Sequence, residues 1–230
     1  MRVHVRGRMG VQLLQAFVGI GRLGEDERPV VVVNSGGDIP GAKTSQLHWV
    51  TDPQCEVRED HEGMRKTPYW HGGAAATAFR GRENTMRWLP LLEHAENKPN
   101  NLIIVHMRGG DKPVATIETY KRFVAHVREQ NPNGHIALMS DDVAMLDEID
   151  SNRTIHLVGE PDEDWFAILN AKHVYCATSS FVTSTLLYNP QKKVTVMPRA
   201  WCDGTYGAID DDYRFLEEAQ MFCPNLEIMS

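Results

Sequence analysis

Three short clusters in this 230-residue chain hold the residue types that could do chemistry: His106-Met107-Arg108, Ser140-Asp141-Asp142 and Thr178-Ser179-Ser180. Each directly follows an apolar run that reads as a strand: Ile103 to Val105, His135 to Met139, and His173 to Ala177. In an open parallel sheet, ligands bind just beyond the carboxyl ends of the strands, so parallel pairing would carry all three clusters to one edge. The chemistry they suit is anion recognition. The planar fork of Arg108 matches a phosphate through two parallel hydrogen bonds. Hydroxyls at a helix amino end add donors beside unpaired backbone N–H groups, which suits a diphosphate. A carboxylate at Asp141 or Asp142, facing a ring edge, suits guanine, whose N1 and N2 hydrogens both donate. Gly109 and Gly110 let the chain turn tightly behind the arginine. Every cluster also has a plain reading. Arg108 could pair with a surface carboxylate after an ordinary strand-to-helix turn, and the other two clusters could be helix caps. Their shared position after a strand is what favours a common site.

The positioning elements follow from periodicity. Arg2 to Val5 alternates as a short strand, Gly7-Arg8-Met9-Gly10 is a glycine turn, and Val11 to Ile20 is helical, with Leu13, Leu14, Phe17 and Ile20 on one face. Strand, glycine turn and helix have the shape of a phosphate-cradling element, without the full GxGxxG spacing or a Walker lysine. Val30 to Val33 is a second strand. Residues 36–73 have poor periodicity and scattered aromatics and histidines, and 83–94 reads as a helix interrupted by Pro90. Asn97-Lys98-Pro99-Asn100-Asn101 is the clearest break, dividing the chain into 1–97 and 98–230. Beyond it, Thr116 caps a helix with Ile117, Tyr120, Val124 and Val127 on one face. Helices are then expected to about Ile149, over 162–170, 181–188 and 213–221, with further strands at 154–158 and 193–197. Alternation of this kind means an α/β fold with parallel strands.

Bulk properties narrow the function classes. Hydrophobic residues make up 42% and charged residues 24%, an ordinary globular balance. The net charge of −7 is uneven: 13 Lys and Arg stand against 12 Asp and Glu before residue 100, and 11 against 19 from there on. An acidic second half argues against nucleic acid as a partner, which needs a basic stripe. Cys55, Cys176, Cys202 and Cys223 form no CxxC pair, and His48, His61 and His71 lack HExxH spacing, so no metal is expected. No opening signal segment and no apolar run of membrane-spanning length is found, so a cytoplasmic setting without a membrane span is expected.

The clusters also resemble a family. Gly7-Arg8-Met9-Gly10-Val11-Gln12-Leu13-Leu14-Gln15 is similar to the GxxGNQLFQ opening of α-1,2-fucosyltransferases, and His106-Met107-Arg108-Gly109-Gly110-Asp111 to their HxRRGD motif. Ser140-Asp141-Asp142 resembles their SDD motif, Ala177-Thr178-Ser179-Ser180-Phe181 their NSSFSWW segment, and Val196 to Trp201 the strand and proline-tryptophan that follow. The order is kept over most of the chain, and α-1,6- and protein O-fucosyltransferases share the superfamily pattern. Three positions depart from it: Gly109 stands at the second arginine, Val11 at the asparagine, and Val182-Thr183-Ser184 where the tryptophan pair would be.

The resemblance implies two compact, facing Rossmann-like domains of the GT-B type, with 1–97 on the acceptor side and 98–230 holding a nucleotide sugar. It implies a glycosyltransferase that moves fucose, or a related sugar, from GDP-fucose to a glycan or other hydroxyl acceptor, with inversion and without cofactor or metal. By position, Arg108 would be catalytic, holding the β-phosphate and stabilising charge on the leaving GDP. His106 with Asp141 or Asp142 would address guanine or ribose, and Thr178, Ser179 and Ser180 the phosphates. Gly7, Gly10 and Gln12 would face them across the cleft. Two other readings stay open. One is a non-catalytic nucleotide-sugar or glycan-binding module on the same fold. The other is a nucleotide hydrolase with a metal on the adjacent pair Asp141 and Asp142.

Overall fold

A computed structural model describes residues 2–6, 8–34, 46–60, 72–92, 100–110, 113–150 and 155–230, and places their strands in two parallel sheets. In the first sheet β1 (Arg2–Val5) pairs with β2 (Val30–Asn34), which pairs with β3 (Glu56–Asp60). Helix α1 (Met9–Ile20) makes the crossover between β1 and β2. Two short helices, α2 (Ala74–Arg80) and α3 (Arg82–Trp88), follow β3. The second sheet holds β4 (Leu102–His106), β5 (His135–Met139), β6 (Ile155–Leu157), β7 (His173–Cys176), β8 (Val194–Val196) and β9 (Leu226–Ile228). Their spatial order is β6-β5-β4-β7-β8-β9. This is a doubly wound order: the chain starts at β4, builds outward to β6, then returns to the other side of β4 and builds outward again. The order reverses between β4 and β7, where such sheets open a crevice for ligands.

Helices α4 (Ile117–Gln130), α5 (Val143–Ile149), α6 (Pro161–Asn170), α7 (Ser180–Tyr188) and α8 (Ile209–Ala219) connect these strands or follow them. Local chemistry sets their ends. The side chain of Thr116 caps α4, whose buried residues Tyr120, Phe123, Val124 and Val127 recur at helical spacing. Pro161 opens α6 with its ring already at a helical φ, and Asp162, Glu163 and Asp164 complement the positive end of the helix.

Helix α1 is buried along nearly its whole length. It lies against α7 with Gly10 at the contact: a Cβ there would stand 2.6 Å from Phe181 N and 2.7 Å from Phe181 Cα. Only a glycine lets the two backbones approach so closely. Phe17 of α1 meets Tyr188 of α7 edge to face, ring centres 5.1 Å apart. One apolar core therefore runs from Val3 and Val5 through Leu13, Leu14 and Phe17 to Val182, Leu186, Val174 and Val196. A second core, with Val105, Leu138, Tyr120 and Phe123, fills the other face of the larger sheet.

Several elements differ from expectation. Within 36–73, read as irregular, Glu56–Asp60 is a strand that pairs β2 despite its charged composition. The helix expected over 83–94 ends at Trp88, because Leu89 precedes a proline and takes φ −130°, ψ 62°. The last helix begins at Ile209 rather than Tyr213, and the three-residue strand β9 is too short to show a period. Most of the break at Asn97 to Asn101 falls outside the described residues. Among the described residues, no helix is long and apolar enough to cross a membrane.

Candidate functional site

Register decides where the three clusters go. His106 is the last residue of β4, level with Met139 of β5 on one side and Cys176 of β7 on the other. The residues that follow, 107–109, 140–142 and 177–179, therefore leave the sheet side by side at its carboxyl edge. Met107 N still donates to Met139 O at 2.9 Å, and Ala177 N to His106 O at 3.2 Å, holding the three turns together as they leave.

Arg108 sits at this edge, partly exposed, with its Cζ 4.2 Å from the centre of the Tyr206 ring. A guanidinium over a ring face is held by the ring quadrupole, a contact of about 0.5–2 kcal/mol depending on desolvation. Its backbone is fixed as well, since Tyr120 Oη donates to Arg108 O at 2.8 Å. Tyr206 is brought there by a docked loop: Gly204 N donates to Val114 O and Thr205 N to Pro113 O. A Cβ on Gly204 would stand 2.2 Å from Pro113 O, so the loop closes only with glycine.

Beneath Tyr206 lies a carboxylate that the sequence did not single out. Asp212, in the first turn of α8, is buried and accepts from Tyr206 Oη at 3.0 Å and Thr178 Oγ1 at 3.2 Å, both on Oδ2. Burial pushes its pKa up to about 6, although the two hydroxyls and the Arg108 charge act the other way. Thr178 is thus tied to the arginine through a shared acid. In the sequence Asp212 is masked by its neighbours: Asp210-Asp211-Asp212 reads as an ordinary acidic helix start.

The second cluster divides its work. Asp142 caps α5, its Oδ1 accepting from Met145 N at 3.1 Å, and Ser140 Oγ accepts from Asp142 N at 3.1 Å. Asp141 turns the other way and accepts from Gly109 N at 3.0 Å. Its second oxygen stands 3.6 Å from a guanidinium nitrogen of Arg8, at the start of α1. The loop hugs this carboxylate: Gly110 takes φ 60°, and a Cβ on it would lie 3.1 Å from Asp141 Oδ2. At Gly109 a Cβ would lie 2.6 Å from Asp142 Cβ, so position 109 has no room for a side chain.

His106 is buried at 8% exposure, stacked on Phe181 with ring centres 5.9 Å apart. Burial lowers its pKa to about 4, with Asp141 opposing and Arg108 assisting that shift. The ring is therefore neutral at physiological pH. Among the described residues its buried Nδ1 has no hydrogen-bond partner, which is uncommon for a buried polar atom. Ser179 caps α7, its Oγ accepting from Phe181 N at 3.2 Å, and Ser180 opens the helix.

The structure thus brings His106, Arg108, Asp141, Asp142, Thr178, Ser179 and Ser180 to one edge, with Gly10 packed against the start of α7. Gln12 is fully buried, and its Oε1 accepts from Gln46 N at 2.9 Å, a contact within the first half of the chain. Gly7 and Asp111 lie outside the described residues. Among the described residues, no three His, Cys, Asp or Glu side chains gather as a metal-ligand set.

Two solved structures are similar to this chain. One is NodZ alpha-1,6-fucosyltransferase soaked with GDP-fucose: TM-score 0.47, 13% identity, with 82% of this chain and 92% of that one covered. The other is NodZ alpha-1,6-fucosyltransferase co-crystallized with GDP: TM-score 0.48, 10% identity, with 80% and 90% covered. No family model and no curated protein matches the sequence. Nothing in the sequence marks Tyr206 or Asp212 as site residues. Arg8 was visible as part of the glycine turn, but only its approach to Asp141 gives it a place.

Proposed function

We propose that the chain is a glycosyltransferase that moves fucose, or a related sugar, from a GDP-sugar to a hydroxyl of a glycan acceptor. In this reading residues 1–97 and 98–230 are two Rossmann-like units of the GT-B type, the first on the acceptor side and the second holding the donor. The observation that carries it is the meeting of Arg108, Asp141 and the amino end of α7 at the point where the strand order of the larger sheet reverses. A diphosphate finds a guanidinium there and a helix amino end. Guanine finds a carboxylate at Asp141 and a neutral His106 whose Nδ1 has no partner among the described residues.

The reaction that fits is one displacement. The acceptor hydroxyl oxygen bonds to C1 of the sugar as the C1–O bond to the β-phosphate breaks, the hydroxyl proton passes to water, and the stereochemistry at C1 inverts. The electron pair of the broken bond goes onto GDP, where Arg108 meets it. Stabilisation of the leaving group in this way needs no metal. The four cysteines are free thiols, which fits a reducing, cytoplasmic setting.

Titration calorimetry with GDP tests the reading. Arg108→Ala should weaken binding about 10- to 100-fold, the range for a charge-assisted contact. The reading fails if the wild type binds GDP no better than folded Arg108→Ala. A specific observation also favours a second reading, a binding module without catalysis: position 109 cannot hold a second arginine. Release of GDP from GDP-fucose by the wild type, lost in Arg108→Ala, would exclude it.

A further inference from the structure

We propose that the amino edge of the larger sheet carries a second ligand site, one that takes a phosphorylated sugar. It lies at the opposite end of the strands from the turns of Arg108 and Asp141, and it stands whether or not those turns hold a nucleotide. Lys172 and Lys193 are the residues just before β7 and β8. Val174 N donates to Lys193 O at 3.0 Å, which keeps the two strand starts level. With Lys192, three of the five lysines after residue 100 gather here, in the acidic half of the chain.

A cavity of about 240 Å³ opens where α6 and α7 end, lined by Asn170, Lys172, Asn189, Lys192 and Lys193 among others. Lys192 is 4% exposed, and its Nζ donates to the carbonyl of Ala171, the residue that ends α6. Burial pushes its pKa down to about 8, and no acid acts against that shift. Among the described residues, none of the three lysines pairs with a carboxylate. Their field reaches His173, whose pKa falls to about 4 through burial first and these three charges second. A buried ammonium needs a counter-charge, and one phosphate group supplies it to all three lysines at once.

A second cavity, of about 270 Å³, shares Lys193 with the first and runs between the end of α4 and strands β7, β8 and β9. Gln130, Asn131, Thr195 and Glu227 line it with the donors and acceptors that hydroxyls need. Its walls are already ordered: Asn131 Nδ2 donates to Tyr175 Oη at 3.1 Å, and His173 Nε2 meets Thr195 Oγ1 at 2.9 Å. Glu227 accepts from hydroxyls but repels a phosphate, so the ligand has one orientation, phosphate among the lysines and hydroxyls toward Glu227. A nucleotide base has no ring face to stack on here, because Tyr175 is buried and packed on His173, ring centres 4.1 Å apart. The two cavities together reach the size of ordinary small-ligand sites, roughly 300–1,000 Å³.

Calorimetry at fixed ionic strength tests the site with the 6-phosphates of glucose, mannose and fructose, the free sugars and inorganic phosphate. At least one sugar phosphate should bind wild type and Arg108→Ala equally, and more tightly than inorganic phosphate or its own free sugar. Lys193→Ala, at an exposed position, should weaken it about 10-fold or more, the loss of one charged contact. Gln130→Ala, also exposed, should weaken the sugar phosphate and leave inorganic phosphate unchanged. The NMR ring signals of His126 and His173 should move as the sugar phosphate binds. The proposal is overturned if none of the three binds at millimolar concentration, if binding needs Arg108 or ignores Lys193, or if inorganic phosphate binds as tightly. It is equally overturned if Gln130→Ala changes nothing or the histidine signals stay fixed. Lys192→Met, which removes the buried charge, should lose both phosphates; Lys193→Ala carries the comparison if that variant melts early.

Discussion

Asp212→Asn should make the protein more stable at neutral pH, although it removes a hydrogen-bonded carboxylate. The acid lies in the first turn of α8, buried, and holds its proton to about pH 6 against an ordinary value of 3.8. At about 1.4 kcal/mol per pH unit, that gap amounts to about 3 kcal/mol. The folded state binds this proton more tightly than the unfolded chain does. The penalty is therefore absent below pH 3.8, grows as pH rises, and is complete once pH has passed the folded value near 6. An asparagine is neutral throughout and escapes it. Its amide oxygen still accepts from Thr178 or Tyr206, and a weakened second bond costs about 1 kcal/mol. The net expectation is a gain of about 1–2 kcal/mol above pH 7, or a few degrees in melting temperature, vanishing or reversing near pH 4.5. Urea unfolding of both proteins between pH 4.5 and 7.5 measures it. His106 and His173, whose pKa values burial lowers to about 4, act in the opposite sense over part of this range. The informative quantity is thus the difference between the two proteins, in which the histidine contributions cancel. A difference that stays constant with pH would refute the buried-carboxylate account.

Two further predictions concern the same edge. Gly109→Arg, which places a second arginine beside Arg108, should destabilise by about 1–3 kcal/mol, because the first side-chain atom already collides with Asp142 Cβ and crowds Met145 Cε. It should not improve GDP binding; thermal melts and calorimetry check both, and a fully stable variant would contradict the packing. The His106 ring should stay neutral down to about pH 5, so its NMR ring signals should not titrate between pH 5 and 8; a midpoint near 6.5 would mean the ring is solvated.

The part of this protein legible in the sequence is the part that local physics sets. The strand ends at His106, Met139 and Cys176 show as apolar runs that break into polar residues. Thr116, Asp142 and Ser179 act as the helix caps their positions suggested. Three adjacent parallel strands then force their following turns to one edge, which is why alternation alone located Arg108, Asp141 and Thr178 together. Short elements escaped for the complementary reason. β9 and β3 have too few apolar residues to show a period, and β3 is a strand because β2 offers it a ladder.

Tertiary structure decided the partners of those residues. Nothing local distinguishes Asp212 from Asp210 and Asp211. Only the packing of α8 under Tyr206 and Thr178 buries one acid of the three. Tyr206 reaches Arg108 because Gly204 lets one loop close on another, and Arg8 reaches Asp141 because Gly10 lets α1 touch α7. Sequence fixes backbone propensity over a few residues. Burial and charge proximity depend on contacts between segments far apart in the chain, and those exist only once the core has formed.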